Sequence, residues 1–424
     1  MRLTKSVLLL GGITSRLPEV FGWGAAGHEI VATIAQIHMD PTVYPVLCDI
    51  LNYTSSNPRE PLCHLAPIAS WADRFRYRMG WSGPLHYVGA VDDYPSQTCA
   101  FPGNGGWAGE RRRNVLGAVR NFTDILEAYI SEGSVGRDTA NEAAKFLVHF
   151  LGDLHMPLHL TGRDRGGNDD KVKFGGRTTS TFASMYLPES LGRRIIIDLH
   201  AVWDGLLIAK AIRETPYNYT MPLPSPQIEW ALRGAIYDPY IRRIMWEGIL
   251  DQWKDEVSSW ITCPQPRFSS SSGGGFWQTV MRMFSRNVGG ETDDEVLCPY
   301  HWAQPIHELN CDVVWPRELD QPPYKNVSLS KVARYGREDD DCHHDDHDDE
   351  HDLDIAGGGP YLQLDTPEYA GAIKERLVVE KLLAQAGIRL AAVLNWLLAE
   401  IVEDGRTSGL RLVQLQNLGA EFRG

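Results

Sequence analysis

The chain has 424 residues, 43% of them hydrophobic, which is the composition of an ordinary globular protein with a sizeable buried core. Its formal net charge of −14 argues against a nucleic-acid ligand, but ten acidic residues between Glu338 and Asp352 account for most of that charge. The hydrophobic content therefore indicates a globular protein, and the net charge excludes no class of partner.

The N-terminus predicts a short secretory signal over residues 1–22. Arg2 and Lys5 precede the apolar run VLLLGGI, and Val20 and Gly22 stand like the −3 and −1 residues of a signal-peptidase site. Because the apolar run is brief and a charged residue follows it, a disordered cytosolic tail is the alternative. No later stretch looks long and apolar enough to span a bilayer, so no membrane partner is expected.

Secretion is supported by the acceptor sequons and by the cysteines. The sequons predict N-glycans at Asn52, Asn121, Asn218 and Asn326. Seven cysteines at scattered spacing contain no C-x-x-C pair, which suits sparse disulfides and leaves one cysteine over.

Helical periodicity dominates the chain, with apolar residues at i, i+3, i+4 and i+7. The segments with this pattern are residues 25–39, 66–79, 114–130, 140–154, 198–214, 228–236 and 374–403. The best alternating strand is DKVKF, and two low-complexity loops interrupt the helices at 264–296 and 336–360. The sequence therefore predicts a mainly α fold, with one domain over residues 23–424 and loop insertions.

The stretch FLVHFLGDLHMPLH, residues 146–159, holds the first candidate site. His149 and Asp153 are four apart, so on a helix they project from one face and can approach a single ion. Pro157 then ends the helix and lets His159 turn toward a different ion. His155 lies off that face and is predicted to be a bystander or a supporting group.

The same spacing recurs at His200 and Asp204 in DLHAVWDGLL. A single His-x-x-x-Asp pair is weak evidence, but two pairs are harder to dismiss. His28, Asp73 and His86 add to them, because each lies in an apolar setting where an unpaired imidazole or carboxylate would be costly.

Six motifs in order carry a resemblance to a known family. WGAAGHEIVATIA, SWADRFR, LHYV, HFLGDLHMPLH, RGGND and LHAVWD resemble the secreted, zinc-dependent, single-strand-specific nucleases (type I, also 3′-nucleotidases) of fungi and plants. The resemblance runs from Trp23 to about Asn395. It implies the helical bundle of the zinc phospholipase C and type I nuclease type, with single-stranded DNA, RNA and 3′-nucleotides as substrates and no obligate protein partner.

The resemblance also implies a site of three zinc ions. Its ligands would be Asp73, His86, His149 and the bridging Asp153 for the first; Asp153, His28 and the amino group and carbonyl of Trp23 for the second; and His159, His200 and Asp204 for the third. A terminal amine has a lone pair that an internal amide lacks, so this site closes only after cleavage beside Gly22.

The remaining roles follow from the same motifs. Asp73 would orient a zinc-activated hydroxide, and Arg76 would neutralise charge on the phosphoryl oxygens. Tyr87 is the candidate stacking platform for a base, with a core tyrosine as the alternative. Asn168 resembles a pocket residue of the family, but its Gly-Gly-Asn turn could be purely structural.

Some features depart from the family. Gly89 stands where many members carry an acidic base-contacting residue, and residues 177–196 look like an added stretch. The His-rich acidic run at 338–352 is read as either a metal-binding segment or a solvated loop.

Two disulfides are expected. Cys99 and Cys298 occupy positions that the family often joins, and Cys48 could pair with Cys63.

Two other functions remain open at this point. A zinc-dependent phospholipase C shares the fold, but its final motif resembles His-x-x-x-Glu, whereas Asp204 stands here. An inactive secreted metal-binding protein is the other alternative, although all nine expected ligand positions and Arg76 are present.

Overall fold

The computed structural model describes residues 23–110, 112–181, 194–264, 297–325 and 360–402. The predicted signal, nearly all of both loop insertions, the His-rich run and Asn326 lie outside these ranges. Within them the chain is mainly helical, which confirms the predicted fold class.

The α-helices of the described ranges are α1 (Ala25–Ile37), α2 (Tyr44–Ile50), α3 (Ala66–Ala69), α4 (Trp71–Phe75), α5 (Val115–Glu127), α6 (Arg137–Asp153), α7 (Asp164–Gly167), α8 (Leu199–Ala201), α9 (Leu207–Glu214), α10 (Pro226–Ala231), α11 (Asp238–Arg243), α12 (Val257–Trp260), α13 (Pro299–Leu309), α14 (Ala372–Glu375) and α15 (Val378–Val402). Turns of 3₁₀-helix span Gly80–His86, Pro157–Leu160 and Arg317–Asp320. Segments of π-helix span Ala128–Glu132, Val202–Leu206, Ile244–Gln252, Asn310–Val314 and Pro367–Gly371.

Four short strands complete the described structure. They are β1 (Val172–Lys173), β2 (Thr179–Thr181), β3 (Arg194–Ile196) and β4 (Leu362–Gln363). β1 lies in the predicted strand segment and pairs in parallel with β4, and β2 pairs antiparallel with β3. The added stretch at 177–196 thus begins and ends in two paired strands.

The core forms around α1, α6 and α15. α15 packs against both other helices, and α5 covers α6. Ten of the thirteen residues of α1 are buried, because neighbours surround that helix on nearly every side. This burial places His28, on the first turn of α1, in the interior beside α6.

One expectation about hydrophobic stretches was wrong. The segment Val378–Ala399 within α15 is long and apolar enough to cross a membrane by length and composition, with a mean hydropathy of 1.5. However, 72% of that window is buried inside the protein. Its apolar character is explained by its place in the core, since a helix that is hydrophobic all round is a buried one.

The disulfides confirm one predicted pair and correct the other. Cys48 is bonded to Cys63 as expected. The prediction that Cys99 pairs with Cys298 is wrong, because Cys99 is bonded to Cys311. Cys298 is instead bonded to Cys263.

Helix length explains this correction. Cys298 precedes α13 and Cys311 follows it, and an eleven-residue helix is about 16 Å long. The two ends are too far apart to share a partner, since bridged Cα atoms lie within about 7 Å. Cys99 lies beside the C-terminal end of α13, which sequence alone cannot reveal.

Three of the four predicted glycosylation sites lie in the described ranges. Asn52, Asn121 and Asn218 are all exposed. Their accessibility is consistent with glycan attachment.

Candidate metal centre

The C-terminal end of α6 supplies the centre of the cluster. His149 and Asp153 face the same way, with Nε2 and Oδ2 3.2 Å apart. The helix ends at Asp153 because Pro157, four residues on, has no amide hydrogen to continue it. The chain then turns through Pro157–Leu160, which brings His159 back toward Asp153.

Four donor atoms from three segments, α4, α6 and the turn Gly80–His86, converge at this point. Nδ1 of His86 lies 2.9 Å from Oδ2 of Asp153, 3.2 Å from Nε2 of His149 and 3.8 Å from Oδ1 of Asp73. Nε2 of His149 lies 3.2 Å from that Asp153 oxygen and 3.5 Å from that Asp73 oxygen. Ligands around a tetrahedral zinc are about 3.3 Å apart for bonds of about 2.0 Å. Five edges of the tetrahedron therefore have the spacing that zinc needs.

Asp153 also faces a second group of donors through its other oxygen. Oδ1 lies 3.3 Å from Nε2 of His28. His28 reaches α6 because residue 152 is glycine: a Cβ there would lie 2.5 Å from Nδ1 of His28. Asp153 is thus placed to bridge two ions.

Trp23 lies beside the same region. Its side chain is fully buried, and the next amide, from Gly24, donates a hydrogen bond of 2.8 Å to the Asp204 carbonyl. This bond joins the start of α1 to the helix that carries His200 and Asp204. The peptide unit that follows Trp23 is therefore bonded directly to Asp204, a member of the third predicted group.

The third group consists of His159, His200 and Asp204, all of them buried. The imidazoles of His159 and His200 stack with their centroids 5.2 Å apart. Asp204 follows His200 by one helical turn, in the continuous run from α8 through Val202–Leu206.

Main-chain carbonyls fix the orientation of three of these imidazoles. Nδ1 of His149 lies 2.7 Å from the Ala69 oxygen, and Nδ1 of His200 lies 2.7 Å from the Gly166 oxygen. Nδ1 of His159 lies 2.6 Å from the oxygen of His86. A carbonyl only accepts, so each Nδ1 carries the proton and each Nε2 keeps the lone pair that a metal requires.

Several buried polar atoms of the cluster lack a hydrogen-bond partner among the described residues. They are both ring nitrogens of His28, Nε2 of His86, and one carboxylate oxygen each of Asp73, Asp153 and Asp204. Buried polar atoms normally find partners, so a concentration of exceptions calls for an explanation. Nitrogen and carboxylate donors converging without hydrogen bonds are the donor set of a zinc site.

The electrostatics of the cluster also call for a cation. Burial disfavours a charged His149, but the Asp153 and Asp73 carboxylates outweigh burial and raise its pKa well above the ordinary value. Burial followed by repulsion from Asp73, Asp153 and Asp198 raises the pKa of Asp204 well above its usual range. Buried carboxylates thus hold a proton or a positive neighbour when no metal is present.

Asp73 stays ionised in this setting. Burial favours its protonated form, yet the imidazoles of His149 and His86 lower its pKa to about 2. Its side chain is 9% exposed, so a charged carboxylate stands at the edge of the cluster.

His155 takes no part in this centre. Nδ1 lies 2.7 Å from the Leu151 oxygen, and Nε2 lies 2.7 Å from a guanidinium nitrogen of Arg389. Asp93, Cys99 and His307 also lie close together, as a separate group of potential ligands. They do not form a metal site, because Cys99 is bonded to Cys311 and has no free thiolate.

The residues predicted to touch substrate lie at the margin of the cluster. Arg76 follows α4 and is partly exposed, and its amide donates to the Asp73 carbonyl. The ring of Tyr87 is 41% exposed, which is inconsistent with a core tyrosine. The Asn168 amide donates a bond of 2.7 Å to the carbonyl of Arg165, so it braces its own turn.

Gly89 shows why this chain lacks the acidic residue expected there. A Cβ at that position would lie 2.7 Å from the amide nitrogen of Gly162. The main chains at Gly89 and Gly162 pass so closely that no side chain fits at position 89.

Sequence reasoning missed the supporting role of two glycines. Gly152 admits His28, and the carbonyl of Gly166 orients His200. Gly152 lies in the motif HFLGDLHMPLH and Gly166 lies in RGGND. A glycine so close to predicted ligands was the signal in the sequence that could have indicated this role.

Comparison with known proteins places these observations in context. A family model described as S1/P1 Nuclease matches residues 23–331. The chain is 30% identical to Endonuclease 2 of Arabidopsis thaliana over 251 residues, which cover 58% of this chain and 70% of that protein.

Fungal enzymes are similar to it as well. Identity to Nuclease P1 of Penicillium citrinum is 31% over 231 residues, covering 53% of this chain and 77% of the relative. Identity to Nuclease S1 of Aspergillus oryzae is 33% over 243 residues, covering 53% of this chain and 73% of the relative. The names of these relatives are all those of nucleases, which does not favour a phospholipase or an inactive protein.

Proposed function

The chain belongs to the S1/P1 nuclease family, and from that membership we propose that it is a secreted, zinc-dependent nuclease. It hydrolyses single-stranded DNA and RNA to 5′-nucleotides and releases phosphate from 3′-nucleotides. The observation that carries this proposal is the convergence of Asp73, His86, His149 and Asp153 at zinc-ligand spacing.

We assign three zinc ions to these donors. The first would be held by Asp73, His86, His149 and Asp153; the second by Asp153, His28 and Trp23; and the third by His159, His200 and Asp204. When bound, zinc supplies Lewis acidity, which lowers the pKa of a water molecule and neutralises charge on a phosphate.

The chain's own residues perform the remaining work. The ionised Asp73 accepts a hydrogen bond from the attacking water and aims it at phosphorus. Arg76 offers a planar fork of donors to the phosphoryl oxygens, whose charge grows as the new bond forms. The bond between phosphorus and O3′ breaks, so the products are a 5′-phosphate and a 3′-hydroxyl.

Tyr87 accounts for the single-strand preference. Its exposed ring follows His86 directly, so a base stacked on it stands next to the scissile phosphate. A duplex hides that base face. Asn168 is proposed to help close the pocket, although its amide also braces the local turn.

Secretion and processing belong to the same proposal. Residues 23–424 form the mature domain after removal of residues 1–22, and the freed amine of Trp23 then becomes a ligand. The buried place of Trp23 beside His28 and Asp204, together with three disulfides, supports this order of events.

A substrate comparison tests the proposal. The secreted protein is incubated with single-stranded DNA, RNA, a 3′-nucleotide and phosphatidylcholine, each with chelator and with zinc restored. We expect chelator-sensitive release of 5′-nucleotides and phosphate, and no cleavage of the lipid. Cleavage of the lipid alone would assign a phospholipase, and no cleavage by protein with an intact Trp23 terminus would reject an active enzyme.

A further inference from the structure

The segment that follows Asp73 has an unusual composition. In RFRYRMGW, residues 74–81, arginines alternate with aromatic residues. Tyr77 is 71% exposed and Trp81 is 50% exposed. A single exposed aromatic side chain needs no explanation, but two within five residues form an apolar surface that invites a ligand.

The Trp81 ring rests on a packed base of aromatic side chains. The ring of Trp71 lies 5.2 Å from that of Phe75 and 5.2 Å from that of Phe146. Trp81 packs on the same Phe146 ring at 5.4 Å. Trp81 is therefore held against α6, beside the Trp71 ring of α4, which reduces the entropy lost when a ligand binds to it.

Cations are placed against the same rings. The Arg78 guanidinium lies 5.3 Å from the Tyr77 ring and 5.8 Å from the Phe75 ring, and the Lys145 ammonium lies 5.1 Å from the Trp71 ring. Glu142, on the turn before Lys145, offsets part of that charge. The surface thus combines flat apolar faces with positive charge.

This surface is built on the same elements as the proposed metal centre. Trp71 shares α4 with Asp73, and Lys145 lies one helical turn before His149 on α6. Trp81 lies in the 3₁₀ turn that leads to His86. A chain bound at the metals therefore reaches these side chains within the length of a few nucleotides.

We propose that Trp71, Tyr77, Arg78, Trp81 and Lys145 form an aromatic strip that binds single-stranded nucleic acid beyond the scissile phosphate. Bases stack on the exposed rings while Arg78 and Lys145 attract the phosphates. The strip rests on the proposed nuclease function and deepens it. It makes the enzyme favour long single strands over mononucleotides.

The double variant Tyr77→Ala with Arg78→Ala tests the strip. We expect the ratio of kcat/KM on a strand of about twelve nucleotides to that on a 3′-mononucleotide to fall about tenfold or more, through KM. The slope of log KM against log salt concentration should also decrease by about one, which corresponds to the loss of one phosphate contact. An unchanged ratio would overturn the proposal.

Trp230→Ala with Arg233→Ala is the matched control. Trp230 is also an exposed ring, 39% accessible, and the Arg233 guanidinium lies 4.8 Å from its centroid. Trp230 lies on α10 and Arg233 follows that helix, so the pair is not part of the strip. The control should leave the ratio unchanged, and an equal fall there would overturn the proposal.

A binding assay separates this inference from the proposed function. Fluorescence anisotropy of a labelled single strand on zinc-stripped protein, kept in chelator so that the strand is not cleaved, needs no catalysis. If the unaltered protein cleaves nothing, the proposed function fails, and weaker binding by the Tyr77/Arg78 variant alone still supports the strip. Equal binding by both variants and the unaltered protein would reject it.

Discussion

Asp153 is the residue on which the cluster depends, because its two oxygens face different partners. Oδ2 lies 2.9 Å from His86 and 3.2 Å from His149, whereas Oδ1 lies 3.3 Å from His28. In the proposed function, a carboxylate so placed bridges two zinc ions. Asp73 sits across the cluster with the same imidazoles and is accessible from outside.

Replacing Asp73 by asparagine keeps its size but removes its charge. We expect Asp73→Asn to lower kcat on single-stranded DNA by about 10²–10⁴-fold, since the group that orients the water is lost. Steady-state kinetics and metal analysis measure the effect. Asp124→Asn, at an exposed position on α5, should leave both unchanged, and a fully active Asp73 variant would contradict the assignment.

The exposed ring of Tyr87 gives a second prediction. Removing one stacking platform costs about 1–3 kcal/mol, so Tyr87→Ala should raise KM for single-stranded DNA about tenfold. Tyr87→Phe keeps the ring and should change KM about twofold at most. The stacking role would be refuted by an equal effect of the two substitutions.

At the scale of elements, the approach of α1 to α6 assembles the second group of ligands. Gly152→Ala places a methyl group 2.5 Å from Nδ1 of His28. An alanine inside a helix is normally stabilising relative to glycine, but overpacking here costs about 1–3 kcal/mol. We expect a lower melting temperature and less bound zinc, measured by calorimetry and metal analysis.

Gly136→Ala provides the comparison at the other end of α6. A Cβ there meets nothing within 4 Å, so the change should leave zinc content unaltered. Equal zinc content in the two variants would show that His28 does not bind a metal.

Local sequence patterns were sufficient to predict α1, α5, α6 and α15 and the two His-x-x-x-Asp pairs, because both depend on residues within a few turns, but they did not predict α2 or α13. The positions of strands were less predictable: β1 and β4 are two residues each and pair across 190 positions. The close approach of His28 to Gly152 depends on how α1 packs on α6, which no local pattern encodes.

At the scale of the whole molecule, long-range pairing set the limit of prediction. The Cys48–Cys63 bridge spans 15 positions and could be guessed, whereas Cys99 and Cys311 are 212 positions apart. The apolar α15 was readable as a hydrophobic helix, but only its burial against α1 and α6 shows that it belongs to the core.

The charge balance of the cluster predicts how zinc-free protein responds to pH. The pKa of His149 is raised well above its ordinary 6.5 by Asp153 and Asp73, against the effect of burial. Its protonation therefore stabilises the zinc-free fold fully below pH 6.5, and that stabilisation is lost as the pH rises through the raised pKa.

We accordingly expect the melting temperature of zinc-stripped protein to fall as the pH rises from 6.5 through the raised pKa of His149. Zinc-loaded protein should lack this fall, because the metal replaces the proton. Thermal melts of both forms measure it, and stripped His149→Gln protein should show a flatter dependence. A stripped protein that gains stability over this range would contradict the argument.

The most direct test of the whole account is a zinc titration of stripped, correctly processed protein, with hydrolysis of single-stranded DNA as the readout. The account predicts no cleavage before zinc is added, activity that rises with bound metal to a plateau at three ions per chain, and little cleavage of a duplex. Full cleavage in the presence of chelator, or a plateau with no bound zinc, would contradict it.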